Sequence, residues 1–186
     1  MAFEPDPSHY AYLCKNIALN RLTHVVIPIN KAVGDANARA TLFRSAENPG
    51  DHRLYQSGGE QREHIEVECV RLDDYVRSRH PELYERIAVI KMDVQGYEVA
   101  ACRGMRKLLS SLGPALFAEY EPSLLTLAGS SPAEYLALLH AHGYACTLFP
   151  LEQDSPAHRI SLDEARAAAP ARDGNLYCVR NGRPAS

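Results

Sequence analysis

Carboxylates cluster after three stretches that read as strands. "MAFEP" carries Glu4 and Pro5, "RIAVIKMD" runs into Asp93 ahead of Gln95, Gly96 and Glu98, and "ALFAEYE" ends on Glu119 and Glu121. A fourth stretch, "HVVIPI", is followed by Asn30, Lys31 and Ala32. In open α/β sheets, ligands bind beyond the carboxyl ends of the strands. An acid after the second strand of such a sheet can accept both hydroxyls of a ribose, a role open to Glu4 for a dinucleotide or an adenosyl group. The alternative is that Glu4 leads, solvated, into a helix cap. Asp93 follows the most continuously apolar strand and suits substrate orientation or proton abstraction. Its alternative is to cap the helix beginning near Gly96, with Glu98 favouring that helix's positive end.

His52, between Asp51 and Arg53, titrates in the range of a general base near neutral pH. The alternative is a loop histidine with no specific role. His140 and His142 fall on different helix faces, lack a third ligand and read as structural, as Tyr10 and Tyr12 do. The five cysteines are scattered and form no C-x-x-C pair. They read as reduced core thiols of a cytoplasmic protein, with no disulfide framework and no metal site.

The elements that must hold these residues alternate. Asp6-Pro7 starts a helix over "SHYAYLCKNIALN", Asp capping the free N–H groups and Pro filling the first position. "HVVIPINKAV" reads as one β-branched strand turned by Gly34-Asp35. "RATLFRS" and "HIEVECVRL" alternate like strands with one wet face, joined by a long polar loop. "LDDYVRSR" and "GYEVAACRGMRKLLSSL" read as helices. "RIAVIKMD" and "PALFAEYEP" are apolar enough to be buried on both faces of a parallel sheet. "SPAEYLALLHAHG" is a helix capped by Ser131 and stopped by Gly143. "YACTLF" and "NLYCVRN" are the last strands. The expected class is α/β with a Rossmann-like, mainly parallel sheet and a reversed last strand.

Length and composition narrow the function. The 186 residues suit a single domain. A net charge of −3 offers no basic surface for nucleic acid. No apolar run reaches membrane-spanning length, and the start lacks a signal-peptide pattern.

Taken in order, "FEPDPSHYAYLCKNIALN", "NKAVGD", "LDDYV", "IKMDVQGYEVAACRGM" and "LFAEYEP" resemble the FkbM-type methyltransferases, which move a methyl group from S-adenosylmethionine to a hydroxyl oxygen. "DGNLYCVRN" resembles the end of that domain. The resemblance implies a class I methyltransferase sheet and a small-molecule or sugar hydroxyl as acceptor. It implies that Glu4, with Pro5, binds the cofactor ribose and that Asn30 and Ala32 border the adenine. Asp93 would lie by the methyl group and substrate, and Glu98, Glu119 and the loop with Asp51 and His52 would line the substrate side. Asp93, then His52, would be the base. Gln95 stands where the family commonly has Glu.

The family also has a first strand and a Gly-rich turn before "FEP", which hold the methionine part of the cofactor. Neither is found in this sequence, and Gly58-Gly59 falls in another loop. The expectation is a domain incomplete at its N-terminus: an internal Met taken as the start, a truncated gene, or a missing piece donated by a partner. The competing readings are a non-catalytic, partner-binding remnant and a nicotinamide oxidoreductase. The two-strand insertion before "RIAVIKMD", together with "IKMDVQGYE", argues against the latter.

Overall fold

Asp6 turns the first corner of the chain. Strand β1 (Ala2–Phe3) ends there, and helix α1 (Pro7–Leu19) begins with the Asp6 carboxylate accepting the Ser8 and His9 amides. The chain returns as β2 (Pro28–Ile29), parallel to β1. The computed structural model describes residues 1–56, 59, 61–151, 155–167 and 171–181, with backbone only at 162, 166 and 167. Gly58 of the Gly58-Gly59 pair lies outside the described residues.

The expected "HVVIPINKAV" strand is broken. Val25 and Val26 donate their amides back to the Leu22 carbonyl, which makes a turn. Lys31 N–H bonds the Ile29 carbonyl and separates β2 from β3 (Ala32–Val33). Strands β4 (Ala38–Arg44) and β5 (Glu63–Val70) pair antiparallel, and β3 adds to β5 in parallel. Helices α2 (Leu72–Arg79) and α3 (Pro81–Tyr84) lead into β6 (Val89–Met92).

Beyond β6 come α4 (Glu98–Gly104) and a π-helical turn, Leu108–Leu112. One continuous helix was expected here; the break has a cause. The buried carboxylate of Asp73 accepts the Lys107 and Leu108 amides at 2.7 and 2.9 Å, starting a new turn after Met105. The rest comprises β7 (Ala115–Tyr120), α5 (Pro122–Leu127), α6 (Pro132–Ala141), β8 (Tyr144–Pro150), β9 (His158–Ile160), α7 (Leu162–Ala167) and β10 (Gly174–Arg180).

These strands form a five-stranded sheet ordered β6-β7-β10-β8-β9, a three-stranded sheet β3-β5-β4 and the pair β1-β2. The architecture is mixed α/β, which corrects the expectation of a mainly parallel sheet. Only β1-β2, β3-β5 and β6-β7 are parallel. Strand β10 inserts between β7 and β8 antiparallel to both, so the reversed last strand is present. The β4-β5 pair and the short β9 add further antiparallel ladders. No described strand lies between β1 and β6. Among the described residues no helix is long and apolar enough to cross a membrane.

The main core packs α4 and α6 onto the five-stranded sheet through fully buried Cys102, Leu108, Leu116, Leu136, Leu139 and Leu176. Gly104 lets α4 touch the turn after β3: a Cβ there would stand 1.9 Å from the Gly34 carbonyl oxygen. Backbone cannot yield as a side chain does, so Gly104→Ala forces the helix away. We expect it to cost about 2 kcal/mol, or roughly 4–8 °C in Tm for a domain of this size. Thermal unfolding checks this; an unchanged Tm would contradict the contact.

Candidate active-site cleft

Carboxyl ends of β1 and β6 meet at one cleft. Its cavity is about 310 Å³ and is lined by Glu4, Ala32, His52, Asp93 and Gln95 with the apolar Phe3 and Leu42. Glu4 stands one residue past the end of β1, and Asp93 one residue past the end of β6.

Glu4 is half-buried, and burial is the main force raising its carboxyl above the ordinary value. Oε1 accepts the Asp6 amide at 2.9 Å; Oε2 takes no hydrogen bond from the described residues. Glu4 thus braces the helix cap and lines the cleft. Asn30 is not on the cleft wall. Its side-chain amide bonds the Glu4 and Pro5 carbonyls at 2.8 and 3.0 Å and fixes the backbone that presents Glu4.

Asp6 lies beneath them with no solvent exposure. Burial alone would raise its carboxyl. Hydrogen bonds from the Ser8 hydroxyl, Arg44, and the His9 and Ser8 amides outweigh it and hold the group well below the usual range. Arg44 Nε approaches Asp6 Oδ2 at 2.6 Å, tying β4 to α1.

His52 forms a wall of the cleft. Its ring stacks on His9 with centroids 4.6 Å apart. Nδ1 accepts the Ser45 amide at 3.3 Å, which assigns the proton to Nε2, 3.9 Å from Asp6. Burial first, then the charges of His9, Arg44 and Arg62, lower its pKa against the pull of Asp6. The shift favours the neutral ring, whose basic nitrogen is engaged by Ser45. Asp51 is held away from the cleft by two guanidiniums: Arg53 at 2.5 and 2.9 Å and Arg62 at 2.8 Å. It organises the loop that carries His52.

Asp93 is exposed at the cleft. The side-chain amide of Gln95 donates to Asp93 Oδ1 at 3.0 Å and to Glu119 Oε2 at 2.8 Å, and Lys91 stands 3.5 Å from Asp93 Oδ2. Burial favours the neutral form of both acids. Burial, then the hydrogen bond and charge of Asp93, push Glu119 well above the carboxylate range. For Asp93 the hydrogen bonds from Glu119, Gln95 and Lys91 win, and its pKa falls. The two acids are thus driven apart, Glu119 toward its neutral form and Asp93 toward its charged form. A Glu at position 95 would bring a third carboxyl; Gln brings an amide that donates to both. The sequence flagged Gln95 only as a departure from the family pattern, whereas the structure makes it the bridge.

Backbone strain aims that bridge. Gln95 has φ 51° and Gly96 φ 93°. A Cβ on Gly96 would also stand 2.5 Å from the Leu124 carbonyl oxygen, so only glycine fits. Glu98 lies under this turn, 3% exposed and off the cleft wall, accepting the Gly96 amide at 3.2 Å. Glu98 Oε2 and the Tyr55 hydroxyl are buried without hydrogen-bond partners among the described residues. Among those residues no three His, Cys, Asp or Glu side chains gather to hold a metal ion.

Burial pushes Glu98 up to about 7 from its ordinary 4.5. A carboxyl whose folded pKa is raised contributes stability that is complete below the unfolded value and lost as pH rises through the folded one. Wild type should therefore lose stability relative to Glu98→Gln as pH rises from 4.5 to about 7, most steeply midway between the two values, and the difference should level off above. Denaturant unfolding at several pH values reads this, and parallel curves would refute it.

The model of the methyltransferase FkbM domain family matches residues 1–146. No curated protein and no solved structure matches the chain. With most of its length inside that match, cleft included, the chain belongs to the FkbM methyltransferase domain family.

Proposed function

We propose that this domain is an S-adenosylmethionine-dependent O-methyltransferase acting on a hydroxyl of a small molecule or sugar. One observation carries the reading: a half-buried acid with spare lone pairs, Glu4, and a charged acid, Asp93, face each other across a single cleft. The nucleoside half of the cofactor fits these residues. Glu4 Oε2 is available to a ribose hydroxyl, Ala32 leaves room beside it, and Phe3 and Leu42 supply apolar wall.

S-adenosylmethionine supplies a methyl group already activated by its sulfonium, which leaves the protein to position the acceptor oxygen and remove its proton. Asp93 is the group for that task. It is ionised, exposed to the cleft and fixed by Gln95 and Lys91, while the basic nitrogen of His52 is occupied by Ser45. Glu119, pushed toward its neutral form, limits the negative charge beside Asp93. Asp51 and Glu98 act on the site through others, Asp51 by ordering the loop and Glu98 by supporting the Gly96 turn.

Calorimetric titration of S-adenosylhomocysteine is the test. We expect saturable heat with micromolar affinity, weakened about tenfold in Glu4→Ala for the loss of a charge-assisted hydrogen bond, and little changed in Asp93→Asn. NADH should give none. Absence of binding, or binding indifferent to Glu4, would overturn the proposal.

A further inference from the structure

A second polar pocket lies at the far end of α4 from the cleft, and the buried Asp73 assembles it. Its carboxylate accepts the Lys107 and Leu108 amides at 2.7 and 2.9 Å, which holds the start of α2 against the segment after α4. Arg71 comes two residues before Asp73 and Arg106 one before Lys107, and both side chains line the pocket. The close approach of Gly104 to Gly34 brings the turn after β3 to the same place. Arg103, near the end of α4, joins it and pairs with Glu134 of α6. The cavity is about 430 Å³, and the rest of its polar lining is His142, at the end of α6, and Asp35. None of these residues lines the cleft, which lies past the other end of α4, about 10 Å away along a helix of 7 residues.

Three guanidiniums on one pocket repel each other, and their neighbours offset this only in part. Arg103 has Glu134, and Arg71 Nε stands 3.5 Å from Asp74, but both pairs are open to solvent and therefore weak. Arg71 Nε is itself buried with no hydrogen-bond partner among the described residues. Arg106 is exposed, with neither ion pair nor hydrogen bond among those residues. Helix dipoles account for Arg103, at the end of α4. They do not account for Arg71, the N-cap of α2, since a cation is disfavoured at that positive end. His142 records the resulting field. Its Nδ1 lies 2.9 Å from Ser110 Oγ, and burial first, then the charges of Arg106 and Arg180, lower its pKa against a smaller pull from Asp73.

We propose that this pocket binds a phosphate dianion, free or as the phosphomonoester of a small molecule. Planar guanidiniums match phosphate oxygens in bidentate fashion, and here they converge from α2 and from the end of α4. Phosphate is mostly dianionic at neutral pH and offers strong acceptors, which suits a lining of donors. The cavity is within the size range of small-molecule sites, and Asp35 offers an acceptor for hydroxyls of an attached polyol. This inference rests on the side chains gathered around Asp73 and is independent of the methyl-transfer reading.

The test uses the full chain and follows the arginine Nε–H and His142 ring signals by NMR. The probes are inorganic phosphate and ribose 5-phosphate, with ribose and sodium chloride at equal ionic strength as controls. We expect phosphate to shift Arg71, Arg103 and Arg106 saturably and to raise the His142 pKa, because a bound dianion offsets the charge of Arg106. Affinity should fall at least about tenfold in Arg106→Gln for the loss of a charge-assisted contact. Arg71→Gln, from the opposite wall, should do the same, which keeps the test open if one variant folds poorly. Tighter binding of ribose 5-phosphate supports the site with a phosphomonoester as its ligand; tighter binding of inorganic phosphate supports it with the free ion. Shifts that do not saturate, equal shifts with sodium chloride, or affinity unchanged in both variants would overturn the proposal. Cofactor binding enters none of these readouts.

Discussion

A carboxylate shut off from water must be paired, and the cleft is built around one that is. Asp6 has zero exposure and four donors: two amides, a hydroxyl and a guanidinium. Through the amides it starts α1. Through Arg44 it fixes the end of β4, and Arg44 in turn reaches Glu63 at the start of β5. Its own N–H holds Glu4 Oε1, and His52 Nε2 approaches from the loop. Removing one partner of such a buried pair leaves a charge stranded, at a cost of about 3 kcal/mol or more. That penalty binds the strand end, the helix and the insertion into one geometry. The position of Glu4 is thus set by a residue that does not itself line the cleft.

The opposite wall works differently. It limits the negative charge where three acids, Asp93, Glu119 and Glu121, crowd the ends of adjacent parallel strands. Like charges that close disfavour full ionisation; Glu119 is pushed toward its neutral form and Gln95 bridges the pair. Lys91 then supports the charge that remains. Between the walls no described strand joins β1 to β6.

Much of this was legible from residue types. Asp6 and Pro7 marked α1, Ser131 and Gly143 bracketed α6, and "LDDYVRSR" matched α2, because capping and helix-stop chemistry is local. Glu4 and Asp93 were found by a rule about strand ends. What failed was non-local. The His24–Val33 run has the composition of a strand, yet the Leu22 carbonyl captures two of its amides. The long helix was broken by Asp73, 34 residues away from the amide it captures. The mixed pairing depends on where β10 inserts, which no period in "NLYCVRN" encodes. Asn30 and Asp51 were taken as ligand-facing, while the structure engages both internally. A side chain's neighbours across the fold decide whether its polar atoms are spent, and sequence spacing carries little of that.

The central claim is that Glu4 and Asp93 bound a nucleoside-binding, methyl-transferring cleft. A crystal structure with S-adenosylhomocysteine tests it most directly. The account predicts ribose hydroxyls on Glu4, the base beside Ala32, and the homocysteine sulfur on the side of Asp93. Ligand bound elsewhere, or Glu4 left without contact to it, would contradict the account.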